Sequence, residues 1–401
     1  MGLRPYIVFI LVMVVIGILD AVALYRASSY FRADPMYLGI ISFFWSLFYI
    51  SFSIFFGYLG DRYRIRVLGI ISATLLTISS IYILFSQDLL WLLIGYSLHA
   101  LATSSGRIVV SIDLLENSDR DVWEELNFLL RGVFWILRAL LIYLIIETGY
   151  YVEISIVITI LASILLSTVP EILLLSRRFL YRIGDLLDRY YGIASLRGLA
   201  ISSIVDISSR YPRIDMMWNM RSANPALLAV SSALLTASAE MILTPAPSIL
   251  ESNLGPQGVS QYMVLSALLT GILMLITWMA QKTLNLWYFW SLAAATPPLM
   301  FAIGFIEIHG QAIIYILTLY MVSYNMLEVG NFNSYSNITS GYGVGEYQAI
   351  REIGGLLGGL VSGYVATYTG YLASIYIGIT LLLLSILTKI LSTTGSKHIF
   401  D

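Results

Sequence analysis

Apolar stretches recur along the whole chain, at about 5–25, 36–58, 67–86, 89–112, 127–146 and 151–175, and again at about 224–248, 259–280, 284–306, 311–330, 347–367 and 371–391. A membrane-spanning helix needs about 20 apolar residues, so each stretch predicts one span. One long polar interval, 176–223, divides six spans from six. The predicted fold is an all-α integral membrane protein of twelve transmembrane helices in two six-helix bundles, 1–176 and 224–401, joined by a linker at 177–223. Within that linker Ile183, Leu186, Leu187 and Tyr190 recur at helical spacing among Arg and Asp. This predicts an amphipathic helix, lying on the membrane face or forming a solvated connection.

Charge fixes the expected orientation. Arg4, Arg62, Arg64, Arg66, Arg120, the eight arginines of 177–221, Lys282, Lys389 and Lys397 all fall on the side of the two termini. The opposite loops carry Arg26 and Arg32, while Arg107, Arg131, Arg138 and Arg351 lie within or beside spans. The excess of Lys and Arg in cytoplasmic loops then places both termini in the cytoplasm.

Composition narrows the function classes. The 401 residues are 58% hydrophobic and 11% charged, with net charge −2 and mean hydropathy +0.83, against about 25% charged residues in soluble domains. A soluble globule, a disordered chain and a nucleic-acid binder are excluded. The chain has no cysteine, so disulfides, thiolate metal sites and a cysteine nucleophile are excluded. His99, His309 and His398 show no metal-ligand spacing, and neither metal nor cofactor is expected. Arg4 precedes the apolar run Tyr6–Leu19, but no small-residue cleavage site follows, so the segment reads as the first span.

The two halves repeat at an offset of 220 residues. Asp20 matches Glu240, Asp61-Arg62 matches Gln281-Lys282, Asp113 matches Asn333 and Arg131 matches Arg351. Thr-Gly-Tyr closes both fifth spans, at 148–150 and, one residue out of step, at 369–371. The pattern predicts two repeats related by an axis along the membrane normal, each open to a three-plus-three inverted pair, with the solute site between the halves near the midplane.

Between spans 2 and 3 stands Gly57-Tyr58-Leu59-Gly60-Asp61-Arg62-Tyr63-Arg64-Ile65-Arg66, and span 11 carries Gly345-Glu346 through Arg351-Glu352 to Gly354-Gly355 and Gly358-Gly359. The first stretch resembles the signature loop of the major facilitator superfamily, and the second its glycine-rich span 11. Arg64 and Ile65 depart from the loop pattern, the matching loop of the second half has decayed to Thr277–Lys282, and spans 4 and 5 lack the superfamily's usual motifs. The resemblance implies alternating access. It also implies a cytoplasmic gate: Gly57 permits close helix approach, Asp61 faces the start of span 11 near Glu346 and Arg351, and Arg66 pairs with Asp113. Arg62 and Arg131 belong to the same gate, or are plain positive-inside anchors.

An ionised group at the centre of a span costs about 2.5–3.5 kcal/mol on insertion scales, so each should face a wet cavity or a partner. Asp20 in span 1 and Glu240 in span 7 lie at similar depth. Ser232, Thr236 and Thr244 share a stripe with Glu240. Both acids are candidates for proton coupling or solute binding, since a desolvated carboxyl can exchange protons as the cavity opens to each side; the alternative is a structural bond at a kink near Pro245 and Pro247. Arg138, one heptad beyond Arg131 in span 5, either anchors an anionic solute or neutralises Asp20 or Glu240. Ser104 and Arg107 in span 4, Thr236 in span 7, and Tyr320, Tyr324 and Glu328 in span 10 are expected to line the cavity. Glu153 and Glu171 read as interfacial.

Other signals point away from chemistry. Gly341–Gly345 lacks a following Lys-Ser/Thr and a preceding strand, so it reads as a connector. The sequon Asn337-Ile338-Thr339 falls on the expected cytoplasmic side. The acidic 4–5 loop from Asp113 to Glu125 lacks the motif of a metal-dependent membrane enzyme. A non-enzymatic secondary transporter is expected, a monomer in a prokaryotic plasma membrane, moving a small organic solute and coupled to protons. Export of an amphipathic or cationic compound is the first reading, and uptake or exchange of an organic anion or sugar the second. A transporter-like sensor and a membrane enzyme are the other classes.

Overall fold

The computed structural model describes residues 4–62, 65–117, 123–148, 151–168, 224–280, 310–339 and 344–394, with isolated positions of 291–299. Every regular element among them is helical: α1 Arg4–Tyr25, extended by a π-helical turn Arg26–Tyr30, α2 Pro35–Arg62, α3 Ile65–Leu84, α4 Leu89–Asn117, α5 Trp123–Thr148 and α6 Tyr151–Ser167. In the second half follow α7 Pro225–Leu243, α8 Ala246–Ala280, α9 Ala312–Thr339, α10 Val344–Tyr368 and α11 Tyr371–Thr394. Among the described residues eight stretches are long and apolar enough to cross a membrane, one of them running through both α7 and α8, and Val152–Ser167 is a shorter apolar helix. The chain is an integral, multi-pass membrane protein. Most of span 9 and the 177–223 linker lie outside the described residues.

Local chemistry sets the ends of these helices. Asp34 and Asp88 precede α2 and α4, and their carboxylates accept backbone N–H bonds from Tyr37 and Trp91, each at 2.8 Å. Asn224 does the same for α7, accepting from Ala226 at 3.0 Å, with Pro225 in the first turn. Such caps satisfy donors that a helix start leaves unpaired. Span 7 is shorter than predicted: α7 stops at Leu243, and α8 begins at Ala246 and is broken at Gly255 (φ 69°) before Pro256.

Contacts between helices repeat from one half to the other. Helix α1 packs on α4, α5 and α6, and α7 packs on α9, α10 and α11. The pairs α2–α4 and α5–α6 are matched by α8–α9 and α10–α11. Across the halves α2 packs on α10 and α5 on α8, two pairs that exchange if spans 1–6 are laid on spans 7–12.

Both cross-half seams depend on missing side chains. A Cβ on Gly39 of α2 would stand 2.7 Å from the Gly359 carbonyl oxygen and 2.9 Å from the Gly363 Cα of α10. On the other seam, a Cβ on Gly271 of α8 would stand 2.8 Å from the Ile136 nitrogen and 2.9 Å from the Gly132 oxygen of α5. Backbone meets backbone there, as small residues allow in membrane helix packing. The first seam closes near the start of α2, the second toward the middle of α5.

Candidate functional site

Three helices of the first half bring a charged cluster together. The Arg138 guanidinium of α5 lies 3.5 Å from the Asp20 carboxylate of α1, with 14% and 30% of their side chains exposed. The Tyr96 hydroxyl of α4 donates to the other oxygen of Asp20. Arg138 also sits 4.7 Å above the Trp135 ring, a favourable cation–π arrangement. Arg138 thus stands within ion-pair distance of Asp20, one of the acids expected to face it.

An aromatic shelf adjoins this cluster. Trp45 stacks on Tyr49 at 5.0 Å and leans on Tyr96 at 6.4 Å, while buried His99 stacks against Tyr96 at 5.9 Å. Arg107 lies 5.7 Å above the Tyr49 ring. This shelf was not legible in the sequence, because Trp45 and Tyr96 stand on different helices.

Glu240 of α7 sits at the seam between the halves. Its Oε2 accepts from Ser42 of α2 at 3.1 Å and from the hydroxyl of Thr244. Gly358 and Gly359 of α10 leave it room: a Cβ on Gly358 would be 2.9 Å from the Glu240 Cβ. Among the described residues Glu240 has no ion-pair partner, yet it lies within electrostatic reach of Asp20 and Glu352. The structural reading also has support, since the Thr244 N–H bonds the Glu240 carbonyl at 3.2 Å where α7 ends.

A second cluster crosses the halves nearer the start of α5. Arg131 of α5 bonds Glu328 of α9 at 2.9 Å, and Arg351 of α10 bonds the other Glu328 oxygen at 2.6 Å. Arg351 is also paired with Glu352. The two repeat-related arginines therefore meet on one carboxylate. Glu328, expected on the cavity wall, is buried in this ion-pair cluster. Glu352, absent from the sequence-based candidates, completes it. Among the described residues, four carboxylates (Asp20, Glu240, Glu328, Glu352) and four guanidiniums (Arg107, Arg131, Arg138, Arg351) thus lie in these two clusters or beside them.

Other expected wall residues are packed between helices. Tyr320 is 1% exposed and its hydroxyl bonds Ser238 at 2.9 Å. Ser104 is buried, its hydroxyl bonding the Leu101 carbonyl at 3.0 Å, and Thr236 is buried as well. Four-residue spacing marks a helix face, but neighbouring helices cover these three. Tyr324 and Arg107 remain half-buried. In the expected gate, Asp113 is buried and Arg66 exposed, and no ion pair joins them in this structure. The side chains of Gly57, Asp61, Arg62 and Glu346 lie outside the described residues.

No family model and no curated protein matches the sequence. Solved structures do match in shape. The xylose transporter XylE from E. coli, in a partially occluded inward-open conformation, aligns at TM-score 0.67 and 15% identity, over 96% of this chain and 97% of that one. The proton:xylose symporter XylE bound to 6-bromo-6-deoxy-D-glucose aligns at 0.65 and 13%, over 96% and 94%. The nucleoside transporter NupG aligns at 0.63 and 14%, over 99% of both chains. With its helix contacts repeating between halves, the chain has the fold of the major facilitator superfamily transporters.

Proposed function

We propose that this chain is a proton-coupled secondary transporter that carries a small organic solute by alternating access between the halves 1–176 and 224–401. On this reading it has twelve spans and both termini in the cytoplasm of a prokaryotic plasma membrane, works as a monomer without a cofactor, and catalyses no covalent step. The carrying observation is Glu240: a carboxylate at the seam, held by a hydroxyl from the opposite half and opposite no cation among the described residues. Such a group can exchange a proton as the seam opens. Asp20, fixed by Arg138 and Tyr96, would orient the solute beside the Trp45–Tyr49–Tyr96 shelf.

The solute best suited to this wall is small, neutral and rich in hydroxyls, because Arg138, the guanidinium expected to anchor an anion, already holds Asp20, and Arg107 lies over the Tyr49 ring. Its aromatic surfaces can stack on a ring or a sugar face. The sugar and nucleoside carriers of like shape agree with that choice. Export of a cationic amphipath is the second reading, favoured by the unpaired Glu240 beside the same aromatic shelf.

The test is tracer flux in proteoliposomes, with sugars, nucleosides and organic cations driven by an imposed pH gradient. Gradient-driven flux is expected in the wild type and lost in Glu240→Gln, while exchange without a gradient survives. Flux that ignores both the gradient and the Glu240→Gln and Asp20→Asn substitutions would overturn the coupling.

A further inference from the structure

The Arg131–Glu328–Arg351–Glu352 cluster has a charge balance that changes when the halves separate. In the closed arrangement two guanidiniums face two carboxylates, and Glu328 is shared by both arginines. Only Arg131 belongs to the first half. The other three lie on α9 and α10 and travel together. Parting of α5 from α9 therefore leaves two carboxylates around one guanidinium.

Two carboxylates that close cannot both remain ionised without cost, and a proton on one of them is the cheapest remedy. Arg107 of α4, over the Tyr49 ring, belongs to the first half as Arg131 does, and among the described residues no further cation is ion-paired with the cluster. The groups facing the cluster are Tyr324 on α9, Tyr347 on α10, Tyr49 on α2 and Glu240 on α7, neutral hydroxyls and a further acid. Ser46 of α2 stands beside Glu352: a Cβ on Gly355 would lie 3.2 Å from both the Ser46 hydroxyl and the Glu352 carboxylate.

We propose that Glu328 and Glu352 form a second proton site, distinct from Glu240, which is filled when Arg131 withdraws and emptied when it returns. The inference rests on the alternating-access reading but not on solute binding. Its linkage has a definite sign. The separated state binds one proton more than the closed state, so acid on that side of the membrane favours separation, by up to about tenfold per pH unit. The proton comes from water at the open face and returns there as Arg131 re-forms its bond to Glu328. No solute is needed for the cycle.

The absence of cysteine gives a clean background for a distance measurement. Spin labels on Val67→Cys and Met279→Cys, exposed sites at the start of α3 and the end of α8, report separation of the halves in lipid nanodiscs. Wild type is expected to gain the longer distance on acidification. Glu352→Gln, which carries the equivalent of a bound proton, should hold a raised long-distance population at every pH. Arg131→Met, which leaves one guanidinium in both states, should also lose the pH response. Glu153→Gln, at an exposed acid in the first turn of α6, should keep it. The proposal is overturned if wild type shows no pH response, if either cluster variant that folds retains the wild-type response, or if Glu153→Gln abolishes it. Solute flux is scored separately: a normal distance response without any transport would sink the transporter reading and leave the proton site standing.

Discussion

The Arg138 guanidinium and the Asp20 carboxylate lie 3.5 Å apart on α5 and α1, with Tyr96 donating to the second carboxylate oxygen. Breaking such a pair leaves one charge without its partner in a partly desolvated place. Arg138→Gln is expected to lower stability by about 1–3 kcal/mol, less than for a fully buried pair because Asp20 reaches solvent. The double variant Asp20→Asn with Arg138→Gln should recover most of that loss. Thermal unfolding in detergent, read as a double-mutant cycle, gives the coupling directly.

Ser42 reaches from one half to Glu240 in the other. Ser42→Ala removes a hydrogen bond to a carboxylate and should weaken the closed seam by about 1–2 kcal/mol, with no loss of fold because the position tolerates a smaller side chain. Single-cysteine accessibility near the start of α2 should rise by about tenfold, the equivalent of that energy. Unchanged accessibility would show that the bond does not hold the seam.

Wedges at the two glycine seams are expected to act oppositely. A Cβ on Gly363 would stand 2.6 Å from the Pro35 carbonyl and 2.9 Å from the Gly39 Cα, and one on Gly132 would stand 2.7 Å from the Leu275 side chain. Gly363→Val should hold open the α2–α10 end and Gly132→Val the α5–α8 end. Thiol reagents applied from each side of sealed vesicles should then label opposite sets of engineered cysteines. Transport should fall at least tenfold in both variants.

Lys389 is buried in α11, donating to Asn331 at 2.6 Å and to Ser334 at 3.4 Å on α9. Lys389→Met would strand the Asn331 oxygen, at a cost of about 1–3 kcal/mol. The pair Lys389→Met with Asn331→Leu should cost less than the single change, as thermal unfolding would register.

Much of this architecture was legible in the sequence, because membrane insertion forces apolar runs and the repeat offset is arithmetic. Arg131 and Arg351 matched at that offset, and the structure places both on Glu328. Arg138, read from the sequence as anchor or neutraliser, lies 3.5 Å from Asp20. Partners across helices were not legible. Ser42 meets Glu240, and Glu352 joins the second cluster, only because α2, α7 and α10 adjoin. The same ignorance of neighbours put Tyr320, Ser104 and Thr236 on an open wall, when adjoining helices bury them.

The four carboxylates and four guanidiniums in and beside the two clusters have an electrical consequence. With every one of them ionised their charges cancel, so on the proposed transport cycle an unloaded carrier would return almost indifferent to voltage. A proton on Glu240 leaves one net positive charge, worth about 2.3 kcal/mol for each 100 mV it crosses. For a neutral solute, the loaded passage alone would then be driven by membrane potential, and current recorded with substrate would flow in that half of the cycle.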